Sequence, residues 1–136
     1  MIARVLAVIA LAGCDPDHVI EPGVLNFSNQ PAEIEVPSSA TVGEAFVVRC
    51  TTFGDGCVSF ERTDLDQAAD GADVFPLDRR DIPSGNGTCP EILLQFHHDA
   101  TLSFDSPGTK EIRFHGRNVS AEGDADVEIA MPILVE

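Results

Sequence analysis

The chain has 136 residues and a mass of 14.5 kDa, enough for one domain with one core. Only 8 Lys and Arg oppose 23 Asp and Glu, a formal charge of −15 that excludes phosphate-backbone binding and electrostatic docking on anionic lipid. Trp and Tyr are absent, which removes the usual platforms for stacking sugars or bases, yet 43% hydrophobic content is too rich for a disordered acidic tail.

The amino terminus reads MIARVLAVIALAGC, with one cation, Arg4, ahead of an apolar run from Val5 to Ala12. That run rises only about 12 Å as a helix, short of the roughly 30 Å hydrocarbon core, so it fits a cleaved export signal. Leu11-Ala12-Gly13-Cys14 resembles the lipobox of bacterial lipoproteins: an aliphatic residue, two small ones, then Cys. The resemblance implies cleavage between Gly13 and Cys14 and acylation of Cys14, an anchor in the lipid bilayer of a bacterial cell envelope. The domain then faces the periplasm or the cell surface. Each buried methylene contributes about 0.8 kcal/mol, so two or three acyl chains hold firmly where one is marginal. Asp15, by the same resemblance, favours the inner membrane over the outer one.

On this reading residues 1–13 are signal, 14–23 are lipidated Cys and tether, and 24–136 are the domain. DPDHVIEPG, short, polar and proline-bearing, suits a tether and carries His18. Beyond it, alternating apolar runs broken by turn residues predict about seven strands. Val24 to Phe27 and Ala32 to Val36 are expected as split first strands. Glu44 to Phe53 places Phe46, Val48 and Cys50 on one face, and Cys57 to Glu61 is expected to return after a tight turn at Gly54-Asp55-Gly56. Ala100 to Phe104, a turn at Asp105-Ser106-Pro107-Gly108, and Lys110 to His115 form a further pair with Ile112 and Phe114 inward. From Asp124 to Val135 the alternation runs through Ala125, Val127, Ile129, Met131, Ile133 and Val135. Pro132, which has no N–H to donate, puts this last strand at a sheet edge. Pro90 to His97 is the one stretch that suits a helical turn or two.

VPSSATVGEAFVV (36–48) and TLSFDSPGTKEIRFHG (101–116) look like bacterial immunoglobulin-like modules, and the resemblance implies an all-β, immunoglobulin-like antiparallel sandwich. The chain departs from that pattern in having no core Trp and no tyrosine corner. It carries over no binding residue.

With Cys14 lipidated, Cys50, Cys57 and Cys89 remain in an oxidising compartment, and an odd count leaves one unpaired. A hairpin turning at Asp55 sets Cys50 opposite residue 60, away from Cys57. Cys50 also lies on an apolar face, where a free Cys behaves as a small hydrophobe. A Cys57–Cys89 disulfide is therefore predicted. A zinc site on these thiols lacks a C-x-x-C pair.

Between those cysteines, Asp64, Asp66, Asp70 and Asp73 place four carboxylates in ten residues, a candidate calcium loop. The spacing fails the EF-hand pattern, since Ala68 and Ala69 fall where a ligand and a glycine belong. The bland alternative is a solvated acidic loop. His97 and His98 are adjacent and point to opposite faces in a strand, and no Ser sits in G-x-S-x-G or S-x-x-K. Asn86-Gly87 is a hairpin signal, and Asn118-Val119-Ser120 reads as a turn. The expected function is non-catalytic: a membrane-anchored acidic β domain for protein–protein contact or envelope scaffolding, with a partner strand adding at the sheet edge. The alternatives are a calcium-binding envelope module and an envelope hydrolase. No other cofactor and no nucleic acid is expected.

Overall fold

Alternating apolar residues make strands here, and the ladder between those strands sets the architecture. The computed structural model describes residues 17–85 and 87–136, so the lipobox at Leu11 to Cys14 and the residue Asn86 lie outside the described residues. Eleven strands and no helix are found among the described residues. They form one curled mixed sheet.

Its backbone is the hairpin of β10 (Gly108–Ser120) and β11 (Gly123–Val135), antiparallel from Gly108↔Val135 to Ser120↔Gly123. Gly108, at φ +126°, takes the conformation expected of the Asp105–Gly108 turn, which an L side chain would resist. Beside β10 lies β8 (Gly71–Asp81), parallel at Glu111–Phe114, and then β2 (Val24–Phe27), parallel at Arg117–Val119. A Cβ on Gly116 would meet the Gly23 carbonyl oxygen at 2.5 Å and Leu25, so only glycine lets β2 come this close. β7 (Val58–Ala68) pairs antiparallel with β8, and β9 (Leu94–Leu102) pairs antiparallel with β6 (Phe46–Gly54). Short pieces fill the margins: β1 (His18–Pro22) on β8, β3 (Gln30–Pro31) on β2, β4 (Ile34–Glu35) on β6 and β5 (Ser39–Ala40) on the end of β11.

The sheet curls until β7 and β9 lie side by side. No backbone ladder joins them; side chains do, with Thr63 against His98 and the Gln67 amide donating to the Ser103 carbonyl. Inside the curl, Leu25, Val48, Phe104, Ile112, Phe114, Ile133 and Val135 are buried, each contributing about 1.5–3 kcal/mol. The expected inward faces of 46–50, 112–114 and 133–135 hold. Lys110 shares the buried face with Ile112; its Nζ donates to the Ala69 carbonyl at 2.8 Å and to Ser106 Oγ at 2.9 Å.

Several expectations change. All-β architecture stands, but the strands number eleven rather than about seven, because two-residue bridges such as β3, β4 and β5 carry no periodicity to read. Parallel pairings appear where an antiparallel sandwich was expected. Residues 54–56 do not close a hairpin: β6 pairs with β9, β2 and β4, and the chain crosses there to start β7. Cys50 therefore faces His98 and Ile34, not residue 60. Residues 90–93 are irregular and Leu94 already begins a strand, so 90–97 is not helical. Asn118–Ser120 ends β10 rather than forming a turn.

Most of the tether is strand as well. His18–Pro22 pairs with β8 from His18↔Asp81 to Pro22↔Leu77, although it has no alternating apolar face. Its ladder is reinforced by Glu21, which meets both Arg80 and Arg117 at 3.1 Å.

Candidate functional site

Three places concentrate chemistry: a cleft, a buried polar relay and an open strand edge. The cleft, of about 480 Å³, lies where β2, the end of β6 and the segment after Cys89 meet. Val24, Phe27, Phe53, Ile92, Leu93 and Val119 form its walls, with the Phe27 and Phe53 rings 6.5 Å apart. Arg80 and Arg117 stand at its rim, and carboxylates hold both: Arg80 bonds Asp55 at 3.1 Å, and Arg117 bonds Asp124 at 3.0 Å, besides sharing Glu21. With those partners the rim is a closed ion-pair chain, and the cleft offers apolar surface rather than an anion receptor.

The disulfide frames this region. Cys57 and Cys89 are bonded, their Cα atoms 5.2 Å apart, and Gly56 N donates to Pro90 O at 3.0 Å beside them. Both thiols are thereby consumed, so the group Asp55, Cys57 and Cys89 offers no thiolate to zinc. Cys50 is free and buried; burial pushes its thiol up to about 12, with Asp78 and Asp99 adding to the shift.

The relay runs across the seam of the curl. Thr52 Oγ1 donates to Asp78 Oδ2 at 2.6 Å, His98 Nε2 lies 2.9 Å from Asp78 Oδ1, and Thr63 Oγ1 lies 2.9 Å from His98 Nδ1. An acid, an imidazole and a hydroxyl in a row are the parts of a hydrolytic triad. Here His98 is fully buried, the tilted Phe60 ring lies with its centroid 4.7 Å from that of the imidazole, and Thr63 does not line the cleft described above. The arrangement ties β6, β8, β9 and β7 together. His97, on the opposite face as expected, meets Thr51 at 3.3 Å.

The four carboxylates proposed for calcium do not form a loop. They lie on the β7–β8 hairpin, whose tip is Ala69–Asp70. Asp64 bonds Arg62 at 3.0 Å, Asp66 stands directly across the ladder from Asp73, and Asp70 is at the tip. Among the described residues no three of these carboxylates converge on a point where one ion could sit. Runs of Asp with small residues read as loop, but burial of Gly71, Ala72 and Val74 on β8 and the backbone ladder make strands of them. Asp73 instead accepts two hydrogen bonds from Arg113, at 2.7 and 3.0 Å, and one contact from His115 at 2.7 Å. Those bonds, Arg113 first, pull its carboxyl down to about 2. Glu128, directly across from His115, is 3.6 Å from the same Nε2, so Asp73, His115 and Glu128 converge while Asp64, Asp66 and Asp70 stay out.

The open edge is β11. It pairs with β10 on one side throughout, and on the other side with β5 only at Leu134 and Val135. From Gly123 to Ile133 that second side has no ladder partner among the described residues. Asp124, Asp126 and Glu128 project from one face there, while Val127, Ile129 and Met131 pack on the core from the other and are partly buried. The edge position inferred from Pro132 holds.

Sequence reasoning missed the cleft. Its best signal was Ile92-Leu93-Leu94, three consecutive apolar residues beside a Cys-Pro pair, too short and aperiodic for a core element. No protein family, curated protein or solved structure matches the chain.

Proposed function

We propose that the chain is a bacterial envelope lipoprotein, acylated on Cys14 after removal of residues 1–13, which presents an acidic β domain to another envelope protein without chemistry of its own. The anchor rests on Leu11-Ala12-Gly13-Cys14. The contact rests on one observation: β11 runs for thirteen residues with one side unpaired from Gly123 to Ile133 among the described residues, and Val127, Ile129 and Met131 along it are only partly buried. A partner strand added there would complete the ladder and bury those three side chains. Its outer face would run beside Asp124, Asp126 and Glu128, so Lys or Arg at alternate positions is the matching chemistry. Burial of His98 beneath Phe60 supports the non-catalytic reading. The immunoglobulin-like identity of the fold belongs to the same proposal, supported by a core enclosed between the β6–β9 pair and the β8–β10–β11 group.

A photo-crosslinking residue at Ala130, compared with one at Thr101 on β9, tests the contact in living cells. A single adduct specific to position 130 is expected. Adducts at neither position, with the chain at normal level, would remove the reading. A dimer of the chain itself would replace the envelope partner by a second copy. Radiolabelled fatty acid should mark the wild type and miss Cys14→Ser.

A further inference from the structure

We infer that the end of the domain bearing Phe27, Ile82, Ile92 and Leu93 rests directly on the bilayer, with these side chains in the head-group region. The inference rests on the proposed acylation of Cys14 and extends it to how the domain sits. The decisive quantity is the length of free chain. The tether expected to run to Gly23 is strand from His18 onward, and Asp17 is already docked, its carbonyl accepting from Ile82 N at 2.9 Å. Two residues separate Cys14 from Asp17, and the three Cα–Cα steps between them span at most about 11 Å when fully extended. An acylated Cys14 therefore holds Asp17 within about 11 Å of the anchored residue, whatever path residues 15 and 16 take.

That end groups four exposed apolar side chains around the anchor's exit, whereas Val47, Phe60, Leu65 and Leu134 are exposed elsewhere on the domain. Ile82, beside Asp17, is 49% exposed; Ile92 and Leu93 are 53% and 47% exposed; Phe27 is 38% exposed. Ile92, Leu93 and Phe27 surround the mouth of the cleft, whose rim residue Arg80 pairs with Val19 of β1, so anchor exit and apolar mouth share one end. Charge selects the kind of surface. Arg79, Arg80 and Arg117 gather here and pair with Asp81, Asp55, Glu21 and Asp124, which mutes the repulsion expected of a chain at −15 without making a cationic face. Asp17 and Glu91 remain beside them. A zwitterionic bilayer suits that balance better than an anionic one.

The chain has no Trp, so single reporters are clean. Full-length Leu93→Trp and Val42→Trp, the latter at the far end beside Glu136, are purified with their lipid and placed in phosphatidylcholine vesicles carrying brominated acyl chains. Leu93→Trp is expected to shift to the blue and lose emission to the bromines, while Val42→Trp keeps both its wavelength and its intensity. Ile92→Trp provides a second reporter should Leu93→Trp fold poorly. An unquenched Leu93→Trp on an acylated chain, or equal quenching of Val42→Trp, overturns the seating and leaves the anchor intact. A blue shift without quenching that grows with protein concentration assigns the surface to a second copy instead. Mass measurement of the amino-terminal peptide is made on the same sample. An unmodified Cys14 there overturns the anchor, and the seating falls with it.

Discussion

His98 Nε2 lies 2.9 Å from Asp78 Oδ1, and both residues are buried at the seam where β7 and β9 meet without a backbone ladder. The pair is the hub of the closure, since Asp78 also receives Thr52 and His98 also meets Thr63. Removing one partner strands the other in a dry site. Asp78→Ala is expected to cost about 3–5 kcal/mol, whereas Thr63→Val, at the outer end of the relay, should cost about 1 kcal/mol. Urea denaturation of both variants checks the gradient. Equal small losses would show that the seam is held elsewhere.

The Cys57–Cys89 bond closes a loop with a sequence separation of 32. In the chain-entropy account such a loop contributes about 3–4 kcal/mol by restricting the unfolded chain. The double variant Cys57→Ser, Cys89→Ser should melt well below the wild type, and reductant should lower the wild type toward it while leaving the variant unmoved.

Cys50 has a thiol raised to about 12, burial being the main cause. A thiol that stays protonated and enclosed is a poor nucleophile. Cys50 of the folded chain should therefore resist iodoacetamide at about pH 8, and urea should expose that thiol to full labelling, read by the mass of its peptide. Labelling in the folded state at the rate of a free thiol would contradict the buried placement.

Asp73 is held at about 2 by Arg113 and His115, below its ordinary 3.8. A carboxyl depressed by folding contributes stability that is complete above the unfolded value and is lost as pH falls through the folded one. The contribution of Asp73 should thus be present at neutral pH and vanish between about pH 4 and about pH 2. Because solvent reaches the pair, Asp73→Asn should cost about 1 kcal/mol or less. The gap between variant and wild type in urea should close on acidification.

Calcium and chelator should leave the melting temperature where it is, because Asp64, Asp66 and Asp70 stand apart along the β7–β8 hairpin. A calcium-dependent rise, lost in Asp66→Asn, would restore the metal-binding alternative.

Burial was legible where a period of two fell on large apolar residues, and was missed on β8, whose inward residues are Ala72, Val74, Pro76 and Asp78. The inward sets Ile112–Phe114 and Ile133–Val135, and the edge position of β11, could be read because one face meets the core and the other meets water. Strands held by their ladders alone could not. Neither face of β1 is apolar, and the β7–β8 hairpin has carboxylates on its open side, so both looked like loop. The disulfide shows how a right pairing can follow from a wrong premise. Cys50 stays free because it is buried opposite His98, not because a 54–56 hairpin turns it away. The cleft and the relay join residues from distant strands, Asp78 with His98 and Phe27 with Leu93, and no local pattern encodes such meetings.

Strand β1 enters the fold from the end where Asp17 is docked and runs along β8 from Asp81 toward Leu77. A pull on the amino terminus therefore acts along the axis of β1 and loads its five pairings with β8 together, in shear, instead of peeling them one at a time. The Glu21 bridge to Arg80 and Arg117 shares the same load. The first strand is thus a mechanical coupling as well as a structural margin: whatever tugs at the amino terminus tugs at the whole sheet.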